Sequence, residues 1–206
     1  DDQFWARNQR LPKRDRYVHT VCLRDGQYLY DFIAIDGTGG CAVVPARYLS
    51  VNGHWEVGLR EQYRPQSRLS PEQHAANFNA GKLDFSQLGQ FGFETAGGFI
   101  ETGESSEDAA RSELAEEFGF ACESMIRLGE TCPHHSIFAY KIPIFLALDL
   151  HEVNTNEGQE EIFQGGVVWV SEEEAYNLQM DGRMYSAITC TTVSRAFNYL
   201  RFSHHR

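Results

Sequence analysis

No stretch of this 206-residue chain approaches the roughly 20 consecutive apolar residues that a membrane-crossing helix needs, so a soluble protein is expected. Its first residues, Asp1-Asp2-Gln3-Phe4-Trp5, have neither the basic start nor the apolar core of a secretory signal. Secretion is not indicated, and a cytoplasmic location is the expectation. Cysteine is sparse and scattered: Cys22, Cys41, Cys122, Cys132 and Cys190 are odd in number and none falls in a C-x-x-C pair. That argues against a disulfide framework and against a zinc ribbon. Basic residues are also scarce, 18 against 29 acidic ones, for a formal net charge of -11. The phosphate attraction behind nonspecific DNA or RNA binding is therefore missing. There is no internal repeat, linker or low-complexity tract.

What remains is an ordinary globular composition, 42% hydrophobic and 23% charged, in a chain long enough for one sizeable core with room for a small appended subdomain. Up to about residue 66 the pattern is strand-like, with runs at 17–23, 28–35, 41–45 and 55–65 punctuated by Asp25-Gly26, Asp36-Gly37 and Gly39-Gly40. Residues 66–90 turn polar and Gln/Asn-rich, with a short helix predicted to start at Ser70-Pro71, and read as an insertion or lid. A helix is predicted over 105–119, with Ser105 or Ser106 as N-cap, Glu107 and Asp108 in the first turn, Gly119 as the stop, and Ala110, Leu114 and Phe118 as its apolar stripe. Strand patterns resume at 137–150 and 162–170, followed by helices at about 171–180 and 185–201.

Glu113, Glu116 and Glu117 stand three and four residues apart on the predicted helix and share one face, with Glu104 just ahead of it. As a solvated face such a cluster costs only about 0.2–0.5 kcal/mol per pair. If it is partly buried, carboxylates about 6 Å apart at an effective dielectric near 20 repel by roughly 3 kcal/mol per pair, and a cation is needed. Oxygen donors with no His or Cys among them suit Mg²⁺ or Mn²⁺ rather than zinc.

The frame around the carboxylates carries more. Gly97-Gly98-Phe99-Ile100-Glu101-Thr102-Gly103-Glu104 is followed by Arg111-Ser112-Glu113-Leu114-Ala115-Glu116-Glu117-Phe118-Gly119-Phe120. This resembles the Nudix box: G, five residues, E, seven residues, R-E-U-x-E-E-x-G-U, with U a bulky apolar residue. The sole departure is Ser112 where the box has arginine. The resemblance implies an α/β fold, a Nudix α/β/α sandwich with a mixed sheet, whose box glutamates hold divalent metal against a diphosphate. Glu113 and Glu117 would be the principal ligands and catalytic groups, with Glu116 close by, Glu104 supporting, and a main-chain carbonyl of Ala96 or Gly97 completing the shell. In the family the box arginine buttresses the glutamates. Ser112 cannot, and Arg111 lies about 100° further round the helix.

Gln62-Tyr63-Arg64-Pro65 resembles the Q-[YF]-R-P element of the ADP-ribose and ADP-sugar pyrophosphatase branch, and Asp181-Gly182-Arg183-Met184 also looks like that branch. The resemblance implies that Arg64, with Gln62, reaches the substrate phosphates. It further implies an N-terminal β-rich subdomain over 1–50, exchanged across a homodimer, ahead of a hydrolase domain over 51–206, with Trp5 beside the base. A glutamate on a late loop, Glu160 or Glu161, would assist water. Trp55 and Trp169 are weaker candidates for stacking on a base, Trp169 reading as a core strand residue. Cys132-Pro133-His134-His135 reads as a substrate-side loop, and His204-His205 as a chain end. The expected activity is cleavage of the diphosphate bond of ADP-ribose or a related nucleotide sugar. Dinucleoside polyphosphates, NADH or coenzyme A are alternative substrates, and a nucleotide-sugar sensor that has lost turnover is the alternative from outside the enzymes.

Overall fold

The computed structural model describes residues 18–25, 28–35, 39–64, 90–133, 140–154 and 163–203. In chain order the elements are β1 (Val18–Asp25), β2 (Tyr28–Ile35), β3 (Ala42–Leu49), β4 (His54–Arg64), β5 (Gln90–Glu94), α1 (Ser106–Phe118), β6 (Phe120–Thr131), β7 (Ile142–Glu152), β8 (Phe163–Val170), α2 (Glu172–Met180) and α3 (Ala187–Ser203). The first two strands pair with each other as an antiparallel sheet, Val18 opposite Ile35 and Asp25 opposite Tyr28. The other six form one mixed sheet in the order β5-β4-β3-β7-β6, with β8 added on β4. Among the described residues only β3 and β7 run parallel, Ala42 opposite Ile144. Of the segment expected as an N-terminal subdomain, β3 therefore belongs to the main sheet, while β1 and β2 form their own.

Alternation along the strands sorts the apolar side chains into two layers. Val43, Phe145 and Ala147 pack with Ala109, Ala110, Leu114 and Phe118 of α1. Val44, Ala46, Val57, Leu59 and Leu146 pack with Leu178 of α2 and Val193, Ala196, Phe197 and Leu200 of α3. This is the expected α/β/α sandwich. A sheet covered on both faces needs apolar residues at successive positions, which is why Cys41-Ala42-Val43-Val44 and Ile144-Phe145-Leu146-Ala147 are all buried. Among the described residues, no helix is long and apolar enough to cross a membrane.

Strand β4 pairs along both of its edges. Its first half pairs with β3, Val57 opposite Ala46, and its second half with β5, Arg60 opposite Glu94. Its other edge takes β8, from Val57 opposite Val170 to Gln62 opposite Phe163. Since Val57 and Leu59 face the α2 and α3 layer, Gly58, Arg60 and Gln62 face the α1 side.

Two strands, β5 and β6, depart from the pattern expected of the sequence. The first is five residues long and emerges at the end of the polar 66–90 run, where alternation has no length in which to show. In β6 the alternation is broken. Cys122 packs under α1 together with Leu150, its partner across the ladder, and so does Met125 with Ala147, although the two β6 residues are three positions apart. The side chains change face opposite Asp149, which has a positive φ of 56°, while the ladder keeps its register there. A second irregularity lies between Arg127 and Gly129. Such irregularities change the face that later residues present, so a period of two cannot be read across them.

Candidate active site

Helix α1 begins where its local chemistry dictates. The Ser105 hydroxyl accepts from the Asp108 N–H at 3.1 Å, satisfying one of the helix's unpartnered first-turn donors, while Glu107 and Asp108 place negative charge at the positive end of the dipole. It ends at Gly119 in the left-handed conformation, φ 71°, whose N–H returns to the Ala115 and Leu114 carbonyls. Leu114 is fully buried and Phe118 nearly so. That burial fixes the rotation of the helix and turns Glu113 and Glu117 toward the segment joining β5 to α1.

This segment, Ala96-Gly97-Gly98, runs against the start of β3. The Val43 N–H donates to the Ala96 carbonyl and the Cys41 N–H to the Gly98 carbonyl, both at 2.9 Å. In extended chain the intervening residue presents its polar groups to the opposite side. Accordingly the Gly97 N–H donates to Glu117 Oε2 at 2.9 Å, and the Gly97 carbonyl points the same way. Of the two main-chain oxygens expected near metal, that of Ala96 accepts from the Val43 N–H, and strand alternation directs that of Gly97 to the side on which its N–H meets Glu117. Gly98 has no room for a side chain: an added Cβ would lie 1.8 Å from Glu113 Oε1. The Glu113 carboxylate thus rests on the Gly98 α-carbon.

Glu113 and Glu117 are half-buried, while Glu116 is exposed at the outer edge of the face. The solvated acidic face therefore describes Glu116 and not the other two. The Glu104 carboxylate accepts from the Glu101 N–H at 3.0 Å and closes the turn that leads into the helix. Beneath the cluster lies Cys41, whose thiol is pushed up to about 12. Burial is the main cause; a hydrogen bond from Gly98 opposes it, and the negative charges of Glu113, Glu104 and Glu117 add to it. Three of the four box glutamates thus act on one buried thiol, which keeps its proton.

Arg111 does not replace the arginine missing at position 112. Its Nη2 and Nε donate to Glu107 Oε1 at 2.9 and 3.2 Å, and its Nη1 donates to the Cys122 carbonyl of β6 at 2.9 Å. Ser112 is exposed. A residue not singled out in the sequence, Arg60 of β4, reaches the cluster instead and donates from Nη1 to the main-chain oxygen of Glu117. Burial pulls its pKa down and the Glu117 charge pulls it up. It sits two residues before Gln62 on one strand, so strand alternation alone would have put the two on one face.

The remaining candidates divide clearly. Gln62 is 3% exposed and inside the sheet, opposite Gly92 of β5 and Phe163 of β8. Arg64 is the last residue of β4, opposite Gln90; its side chain lies outside what is described, as do Trp5, Glu160, Glu161, His134, His135, His204 and His205. Trp55 packs against Tyr48, ring centroids 5.2 Å apart. Trp169 sits under the Arg47 guanidinium, 4.3 Å from the ring centroid, with Phe120 beside it. Both rings are occupied by neighbours within the fold.

Among the described residues no three His, Cys, Asp or Glu side chains converge as a ready metal cage. The Glu117 carboxylate is turned onto the Gly97 N–H and Glu116 lies outward. What fits a cation is the type of donor, oxygen throughout, on one helix face and beside a main-chain carbonyl that points the same way.

The family model of the NUDIX domain matches residues 80–189. The chain belongs to the Nudix family. Enzymes of that family act on pyrophosphate bonds and generally use divalent metal ions. Among solved structures, the fold is similar to a crystal structure of an ADP compounds hydrolase, with a TM-score of 0.63 and 18% identity over 95% of this chain and 92% of that one. No curated protein matches by sequence.

Proposed function

We propose that this Nudix protein hydrolyses the diphosphate bond of ADP-ribose or a related nucleotide sugar, giving a nucleoside monophosphate and a sugar phosphate. The observation that carries the reading is the placement of Glu113 and Glu117, half-buried and held against Gly98 and Gly97 by the rotation of α1. Partial burial makes two adjacent carboxylates costly unless a cation joins them. Glu113 and Glu117 would hold Mg²⁺ or Mn²⁺, with the Gly97 carbonyl on the same side and Glu116 and Glu104 at the periphery. Bound there, the ion supplies charge neutralisation of the diphosphate and a lowered pKa for the attacking water.

The chain's own groups have separate tasks. Arg64, at the end of β4, orients the substrate phosphates, and buried Gln62 supports the strand that carries it. Glu160 or Glu161 takes the proton of the attacking water as oxygen bonds to one phosphorus and the bridging oxygen departs. Trp5 stacks on the base. The choice of substrate draws support from the Gln62-Tyr63-Arg64-Pro65 element and from the ADP compounds hydrolase of similar fold. A homodimer, with the β1–β2 segment contributing to the partner subunit's site, completes the reading.

The test is a substrate panel with Mg²⁺, offering ADP-ribose, ADP-glucose, GDP-mannose, NADH, diadenosine polyphosphates and coenzyme A to wild type and Glu117→Gln, with phosphate monoester products detected by a coupled phosphatase. Cleavage of ADP-ribose or a nucleotide sugar by wild type and not by the variant is expected. Preferential cleavage of another member reassigns the substrate. Tight binding without any product would make the protein a sensor.

A further inference from the structure

The last turn of α1 contains no basic residue, although the carbonyls of that turn have no partners further along the helix and a positive charge is favoured there. Arg60 supplies what the helix lacks. Reaching from β4, it donates to the Glu117 carbonyl and brings its guanidinium within electrostatic reach of the Glu117 carboxylate. Glu117 is thereby held at two points, its main chain by Arg60 and its carboxylate by the Gly97 N–H. The neighbouring positions on α1 are directed elsewhere: Ser112 is exposed, and Arg111 is committed to Glu107 and to the Cys122 carbonyl.

We propose that Arg60 is a positioning residue for Glu117: it fixes the turn that presents this carboxylate to a divalent cation, so that the site functions without an arginine at position 112. This rests on the metal site proposed above. Charge and position make opposite predictions. Removing a nearby cation would by itself tighten the binding of a divalent metal, whereas loosening a ligand's support weakens it, by about tenfold or more for groups that orient a metal ligand.

The experiment is titration of the metal-free protein with Mn²⁺, followed by electron paramagnetic resonance, for wild type, Arg60→Met and Arg60→Lys, together with kcat and KM in Mg²⁺. Arg60→Met is expected to bind Mn²⁺ at least about tenfold more weakly and to lose kcat with KM little changed. Arg60→Lys, which replaces the planar fork by a single ammonium, is expected to fall between the two. Wild-type or tighter Mn²⁺ binding by Arg60→Met overturns the proposal, even if its stability falls. Should Arg60→Met fail to fold, Arg60→Lys decides the matter, and wild-type affinity in that variant overturns the proposal. A wild-type protein that binds no Mn²⁺ refutes the metal site and this proposal with it, whereas unchanged affinity in the variants refutes the role of Arg60 alone.

Discussion

Two adjacent glycines, each replaced by alanine, should fail in different ways. Neither Gly97 nor Gly98 has a positive φ, so alanine can adopt both backbones and only space decides the outcome. At Gly98 the new methyl would lie 1.8 Å from Glu113 Oε1 and 2.5 Å from its Cδ, where ordinary contact is 3.4–4 Å. The carboxylate is the far end of a flexible side chain, so it yields by about 1.6 Å. Pushing it off its rotamer costs about 0.5–1.5 kcal/mol, yet a displacement of this size at a reacting site can cost about a hundredfold in rate. At Gly97 the methyl would meet the Cys41 carbonyl oxygen at 2.5 Å and the Ala42 Cα at 3.2 Å, both backbone atoms of a buried strand. They cannot yield cheaply, and overpacking of this kind costs about 1–3 kcal/mol. Guanidinium unfolding and kcat at saturating Mg²⁺, measured on both variants, separate the cases. Gly98→Ala should unfold near the wild-type midpoint and lose most of its turnover, while Gly97→Ala should show the larger drop in midpoint. Full turnover by Gly98→Ala would refute the placement of Glu113 as a working ligand.

Three further outcomes are expected. Leu114→Ala, at a fully buried position of α1, should cost about 2–5 kcal/mol in urea unfolding, and a loss under 1 kcal/mol would mean that the helix is not seated as described. The Ser171 N–H, and after it the Ser171 hydroxyl, hold the Glu174 carboxyl below its ordinary value of 4.5, in a reciprocal cap at the start of α2. A depressed carboxylate stabilises the fold above its ordinary value and ceases to as pH falls through its lowered one. Ser171→Ala should therefore cost about 1 kcal/mol at pH 7, with the gap to wild type narrowing as pH drops below 4.5; a gap that widens in acid would contradict the sign. Finally, Ser112→Arg should keep or raise turnover, since Ser112 is exposed and Arg60 already supports Glu117; a clear loss of hydrolysis would show that Ser112 has a role of its own.

How far the sequence could be read depended on whether information was local. Helix α1 was legible from end to end because Ser105, the acidic first turn, the Ala110-Leu114-Phe118 stripe and Gly119 all lie within fifteen residues and agree with one another. The carboxylate spacing was legible for the same reason. What was not legible arises across the sheet. The face reversal opposite Asp149 hid β6, and β5 is too short to announce itself. Arg60 lies 57 positions from the carbonyl it binds, and nothing near it in the chain marks that partner. The burial that distinguishes Glu113 and Glu117 from Glu116 likewise arises from how α1 lies against β3 and the Ala96-Gly97-Gly98 segment, a relation between distant segments. Arg111 shows the converse: adjacent in sequence to the position where the box has arginine, it is drawn away by Glu107 and by a carbonyl of β6.

The central claim, that Glu113 and Glu117 form a metal-dependent hydrolytic site, is tested most directly by the Mg²⁺ dependence of ADP-ribose cleavage in metal-stripped protein. The account predicts no turnover in chelator, saturable recovery as Mg²⁺ is added, and a requirement for at least about tenfold more Mg²⁺ in Glu113→Gln. Turnover that persists in chelator, or a Glu113→Gln protein with the wild-type Mg²⁺ requirement, would contradict it.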